Sequence, residues 1–349
     1  MDLAPLFSRP VGRVVRSFRA ATAESLRTAL DAFIERGERA DLCLLLFVGA
    51  DLDRVVGGQT ALLKAIDARH VEAVQLLVEA GADLEVKMCG GETPLVLACR
   101  TLQPSVTEYL LSKGADSNAE TDEGWRALHR AAFSGWVGLV KCLLLKGADL
   151  HAKSFYGDTA LHRSVFGGQR EVTELMLQRG ARVNEPGENN TTLLFYTVLP
   201  RAEGRELTDN REVAELLLSW GADANTRESE RGRSALHEAA CWGSVEVTKA
   251  LLNAGADVEA KSKCGCTALH YGAFRVDLMD ECGVDMGKKL EIAKMLVKRG
   301  SDVNLEDSLG MTAYQVAETH LHADSPLRIF LAAELKQQEA VSPSLSESI

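Results

Sequence analysis

Short apolar stretches with helical spacing alternate with brief polar turns along most of the chain, and the alternation itself repeats. A stretch rich in small residues, such as Ala127-Leu128-His129-Arg130-Ala131-Ala132, opens each cycle. After a turn comes a Leu-rich stretch such as Val172-Thr173-Glu174-Leu175-Met176-Leu177. Both have the 3.6-residue periodicity of amphipathic helices. Glycines that precede Ala-Asp or a variant of it mark the period: Gly49, Gly81, Gly114, Gly147, Gly180, Gly221, Gly255 and Gly300, spaced by 32, 33, 33, 33, 41, 34 and 45 residues. A recurrence near 33 residues is the signature of a repeat architecture. The two long gaps hold the same unit enlarged by about 8 and about 12 residues. These insertions, near 200–210 and 276–288, are predicted between the first and second helix of their units, as edge loops.

Each unit has one internal grammar. A Gly and a Thr or Ser open it, as in Gly58-Gln59-Thr60, Gly91-Glu92-Thr93, Gly157-Asp158-Thr159, Gly232-Arg233-Ser234, Gly265-Cys266-Thr267 and Gly310-Met311-Thr312. The hydroxyl suits an N-cap, where it accepts a hydrogen bond from an otherwise unpaired helix N–H. A glycine such as Gly180 closes the second helix, a preferred stop because it adopts positive φ at little cost. The Asp-x-Asn of Asp116–Asn118, Asp223–Asn225 and Asp302–Asn304 suits a turn or hairpin.

This pattern resembles the ankyrin repeat. The family's Thr-Pro-Leu-His-x-Ala signature is matched by Thr93-Pro94-Leu95, Ala127-Leu128-His129, Ala160-Leu161-His162, Ala235-Leu236-His237 and Ala268-Leu269-His270. The match runs over about residues 40–335. It implies an all-α solenoid of eight to nine stacked helix–turn–helix units with short β-hairpin turns. Local departures occur: the fifth unit carries Asn190 for its opening Gly and Phe195 for its His, and the unit over 23–53 lacks the opening signature. Terminal repeats have one side without a neighbour and become atypical. Residues 23–53 therefore read as an N-terminal cap within a repeat domain over 23–336, and 310–336 as the C-terminal cap. A basic leader is expected over 1–22 and a disordered polar tail over 337–349.

Composition narrows the function classes. Hydrophobic residues at 46% and charged residues at 26% exclude global disorder and low-complexity classes. With 39 Lys and Arg against 50 Asp and Glu, the net charge of −11 opposes sequence-independent nucleic-acid binding. Eight cysteines are too sparse for a disulfide scaffold, and no apolar run is long enough for a membrane span or a secretory signal. A cytoplasmic protein with free thiols is expected. Arg9, Arg13, Arg16 and Arg19, interleaved with apolar residues, leave nuclear, membrane-surface and mitochondrial targeting as alternatives.

Candidate chemistry dissolves into the repeat. His129, His162, His237 and His270 recur once per unit, so they form a row instead of converging; in the resembled family this histidine ties down the hairpin. Cys264, Cys266, His270 and Cys282 suggest a zinc site, but Cys264–Cys266 lacks the usual two-residue separation. No P-loop, nucleophile elbow or zincin helix is present. No enzyme, cofactor or bound metal is expected.

The resemblance implies a partner surface on the concave side, built from hairpin tips and inner-helix positions. Phe133, Phe166 and Phe274 fall on one inner-helix row, Trp242 and Arg275 on the next. Hairpin tips add Asp122, Glu123, Trp125, Phe155, Tyr156 and Asp158. Aromatics rimmed by carboxylates have the composition of an interface hot spot and suit a protein partner with apolar anchors and basic flanks. The alternative is that the rings fill grooves between repeats. The expected function is a non-catalytic adaptor, scaffold or regulatory inhibitor. A nuclear-shuttling regulator and a metal-dependent activity are the rivals from other classes.

Overall fold

Thr60 shows why the units begin where they do: its Oγ1 accepts the Leu63 amide at the start of the helix Ala61–Asp67. The computed structural model describes residues 23–47, 50–199, 210–274 and 285–341. The arginines at 9, 13, 16 and 19, the bodies of both insertions, Arg275, Cys282 and residues 342–349 lie outside them.

The chain divides into two units, one of Met1–Ala131 and Trp136–Phe155, the other of Ala132–Gly135 and Tyr156–Ile349. The first contains helices α1 (Ala23–Arg36), α2 (Arg39–Phe47), α3 (Ala61–Asp67), α4 (Val71–Glu79), α5 (Pro94–Arg100) and α6 (Pro104–Ser112), most of α7 (Ala127–Phe133), and α8 (Val137–Leu145). Within it α1 packs on α2, α3 on α4 and α5 on α6, while α1–α3–α5 stack in one row. In the second unit α9 (Ala160–Phe166), α11 (Leu193–Tyr196), α13 (Ala235–Trp242), α15 (Ala268–Ala273) and α17 (Ala313–His320) form an inner row. The outer row is α10 (Arg170–Gln178), α12 (Arg211–Ser219), α14 (Val245–Asn253), α16 (Met286–Lys298) and α18 (Pro326–Val341). The helices are short, so packing and caps stabilise them more than intrinsic propensity does.

The core lies between the rows. Inner helices bury Leu-Ala faces such as Leu236, Ala239 and Ala240, and outer helices bury Val247 and Leu251. Small residues let neighbouring inner helices approach closely. Each buried Leu contributes about 2 kcal/mol of apolar transfer free energy.

Both insertions separate an inner helix from its outer partner, α11 from α12 and α15 from α16. The expected short hairpin turns hold isolated antiparallel bridges, such as Glu120 with Arg126 and Arg227 with Ser234, and no strands among the described residues. The chain reverses at Gly124 and enters a helix at Ala127, which leaves room for a single bridged pair. One expectation needs correction: α18 continues to Val341, so residues 337–341 are helical where a tail was expected.

Neighbouring turns are laced by side chains. Asp83, Asp116 and Asp149 donate their amides to Asp53 Oδ1, Glu85 Oε1 and Asn118 Oδ1, each at 2.8 Å. In the second unit Asp223, Asp257 and Asp302 donate to Asn184, Asn225 and Glu259 at 3.0, 2.8 and 3.2 Å. The same Asp residues cap their own turns, as when Asp116 Oδ1 accepts from the Asn118 amide at 2.8 Å.

Candidate protein-binding surface

In the first unit, the turn over Thr121–Trp125 closes through the Thr121 amide donating to Trp125 O and the Gly124 amide to Thr121 O, both at 2.9 Å. It is joined to the hairpins on either side: Asp122 donates its amide to Gly90 O at 3.0 Å, and Phe155 donates to Glu123 O at 2.8 Å. Gly124 sits at φ +76° with Phe155 N only 3.0 Å from where a Cβ would stand, so this close approach requires glycine. The stack leaves Phe155 85% exposed, with Asp122 and Glu123 exposed on the adjoining tip. Trp125 behaves differently. It is half-buried, donates Nε1–H to Glu123 Oε2 at 2.8 Å, meets His129 edge-on at 5.5 Å and lies under Arg130 at 5.9 Å.

In the second unit, Phe133 and Phe166 stack at 6.2 Å, and the Arg163 guanidinium covers both rings at 5.0 and 5.2 Å. Tyr196 meets Phe166 edge-on at 6.3 Å and His162 at 5.4 Å. Both phenylalanines are half-buried, and Tyr156 is exposed. Asp158 corrects the expectation of an exposed carboxylate rim: it is 6% exposed and accepts the Tyr196 hydroxyl. Burial raises its pKa, opposed by the Tyr196 hydrogen bond and the Arg163 charge. Burial and the adjacent carboxylate push the Tyr196 phenol upward.

The second aromatic patch is closed by its own charges. Glu238, buried on α13, receives Trp242 Nε1–H at 2.8 Å and the Arg233 guanidinium. Glu228 accepts the amides of Glu230, Arg231 and Arg233 and lies 3.5 Å from Arg233. Arg233 also covers Phe195 at 5.6 Å. Burial raises the Glu238 pKa, offset by Arg233 and Trp242; at Glu228 burial is outweighed by the three backbone donors, and its pKa falls. Phe274 is half-buried against Tyr271 and His320, with ring centroids at 5.9 and 5.2 Å.

The histidine row is structural. His237 Nδ1 accepts from the Ser234 amide at 3.0 Å, so Nε2 carries the proton and donates to Ala260 O at 2.9 Å and Cys266 O at 3.2 Å. His270 repeats this between the Thr267 amide and Met311 O. Burial depresses the His237 pKa to about 4 and also lowers that of His270. Asn190, standing where other units have Gly, takes the left-handed φ of +61° that Asn tolerates. Among the described residues, no three His, Cys, Asp or Glu side chains are grouped to hold a metal. Nor is any described helix long and apolar enough to cross a membrane.

Sequence reasoning did not anticipate Tyr196, Arg163, Arg233 or Glu238. The i, i+4 spacing of Glu238 and Trp242, just after Arg233, was the available signal for the closed patch.

A family model described as ankyrin repeats matches in three copies, over residues 30–121, 105–187 and 206–307. The chain is similar to the E3 ubiquitin-protein ligase KEG of Arabidopsis thaliana, 27% identical over 135 residues, covering 39% of this chain and 7% of that protein. It is 35% identical to protein phosphatase 1 regulatory subunit 12A of Mus musculus over 101 residues, covering 29% of this chain and 9% of that protein. An ankyrin repeat-containing protein of Treponema pallidum (strain Nichols) is 33% identical over 107 residues, 31% of this chain and 32% of that protein. The chain thus spans less than a tenth of the first two relatives and about a third of the third.

Proposed function

The chain belongs to the ankyrin-repeat family, and we propose that it is a non-catalytic protein-binding module, an adaptor or regulator that takes an apolar anchor with basic flanks at the hairpin tips of its first unit. The observation that carries this reading is Phe155, 85% exposed beside the exposed Asp122 and Glu123. The hydrogen-bonded hairpins fix the backbone that carries this ring before a partner arrives, and desolvation of the ring favours an apolar partner group. The neighbouring carboxylates select Lys or Arg on either side of that group and steer its approach. The similarity to a phosphatase regulatory subunit fits a regulatory role.

The test is a peptide array in which an aromatic or aliphatic centre is flanked by basic, neutral or acidic residues. Wild type is expected to select basic flanks, Phe155→Ser to lose about 2 kcal/mol of affinity, and Asp122→Lys/Glu123→Lys to reverse the flank preference. Equal binding of basic and acidic flanks by the wild type sinks the proposal.

A further inference from the structure

Outside the surface just described, the hairpin over Ser262–Cys266 gathers two thiols, a phenol and a carboxylate. The Ser262 amide donates to Cys266 O at 2.9 Å, and the Gly265 amide to Ser262 O at 3.0 Å. This tight turn places the side chains of Cys264 and Cys266 on one face, with their sulfurs 3.4 Å apart. Ser262 Oγ lies 3.1 Å and Tyr271 Oη 3.8 Å from Cys264 Sγ, while Asp307 Oδ2 lies 3.8 Å from Cys266 Sγ. Cys264 is exposed and Cys266 buried.

We propose that Cys264 and Cys266 form a peroxide-sensitive dithiol, in which Cys264 is attacked first and Cys266 resolves it to an intrahairpin disulfide. The roles follow from access. A peroxide reaches Cys264 from solvent, whereas Cys266 is covered by its own turn and by Asp307. At Cys264 burial disfavours ionisation, but hydrogen bonds from Ser262, Cys266 and Tyr271 outweigh it and hold the thiol below its ordinary pKa. Burial pushes the Cys266 thiol up, so the two sulfurs are electronically distinct.

In the first step Cys264 thiolate attacks one oxygen of a hydroperoxide. The O–O bond breaks, the alkoxide or hydroxide leaves, and it takes up the proton Cys264 released. Cys264 becomes a sulfenic acid. In the second step Cys266 Sγ attacks Cys264 Sγ, its proton passing by way of Asp307. The S–O bond breaks and hydroxide leaves with that proton as water. Two thiols are oxidised by two electrons, and one peroxide is reduced to an alcohol, or water, plus water. The sulfurs must approach by about 1.4 Å to reach bonding distance, which side-chain rotation within the turn supplies.

The hairpin is tied to its neighbours through the Lys263 amide on Arg231 O at 2.9 Å and the Ser308 amide on Cys264 O at 3.0 Å. Oxidation therefore acts on a tip that two adjoining hairpins share.

Trypsin cuts after Lys263 and Arg275, so one fragment carries both cysteines. The full chain, reduced and then exposed to limiting hydrogen peroxide, is alkylated, digested and weighed. The expected fragment lacks two hydrogens and takes up no alkyl group, and it appears before oxidation at the buried Cys99. In Cys266→Ser, dimedone should trap a sulfenic acid at Cys264; in Cys264→Ser, Cys266 should remain an alkylatable thiol, with circular dichroism confirming that both variants fold. A wild-type fragment recovered doubly alkylated after other cysteines have oxidised overturns the proposal. So does a Cys264 found joined to a second chain or driven to sulfonic acid while Cys266 stays reduced.

Discussion

Two regions share a composition and differ in what they do with it. The tip of the first unit holds Asp122, Glu123, Trp125 and Phe155; the second unit holds Glu228, Arg233, Glu238 and Trp242. In the second set Arg233 bridges two buried carboxylates, and Trp242 spends its only donor on Glu238. In the first set Glu123 satisfies the Trp125 indole, while Phe155 and Asp122 stay exposed. Aromatic content alone does not separate the two sets; they differ in whether an arginine joins the carboxylates, as Arg233 joins Glu228 and Glu238, and in the exposure of Asp122 and Glu123.

The sharpest way to break this contrast is Arg233→Ala. With its cation gone, Glu238 is left as a buried charge, and urea unfolding should show a loss of about 3 kcal/mol. A neutral result means the second patch is not closed electrostatically.

Acid tests the frame around that patch. The His237 pKa is depressed in the folded state to about 4, from 6.5. The folded protein thus binds fewer protons than the unfolded chain, and the contribution of this group is complete above pH 6.5. It declines as pH falls toward about 4, by roughly 1.4 kcal/mol per pH unit and about 3 kcal/mol in all. NMR titration should find the His237 ring neutral at pH 5; a midpoint near 6.5 contradicts its burial between Ser234 and Ala260.

Tyr196→Phe removes the phenol from the buried Asp158 and should cost about 1.5 kcal/mol, read by thermal unfolding. Phe155→Ser comes last, with a stability change within about 0.5 kcal/mol. A larger loss would make Phe155 a packing residue and erase the distinction between the two regions.

Much of the fold was legible because its devices are local. Thr60, Thr93, Ser234 and Thr267 cap helices where their spacing placed them, and His237 and His270 bind within three residues of themselves. The candidate surface was less legible because its burial is decided by residues a full repeat away. Asp158 reads as a tip carboxylate until Tyr196, 38 residues later, covers it. Phe133 reads as an open anchor until Arg163, in the next repeat, is seen lying over its ring. Single-residue patterns do not carry such cross-repeat pairings.

The lacing between turns has a consequence for how such a chain grows. Each rung asks only for an oxygen on one turn and an amide on the next. It is kept from Asn184 to Asp223 and from Glu259 to Asp302, where the sequence separation is 39 and 43 residues, as it is from Asn225 to Asp257 across 32. Extra residues enter elsewhere in the unit and leave the joint untouched. The turns thus act as standard couplings: residues inserted between the two helices of a unit leave the turn-to-turn joint unchanged, while the helix rows supply the rest of the contact between neighbours.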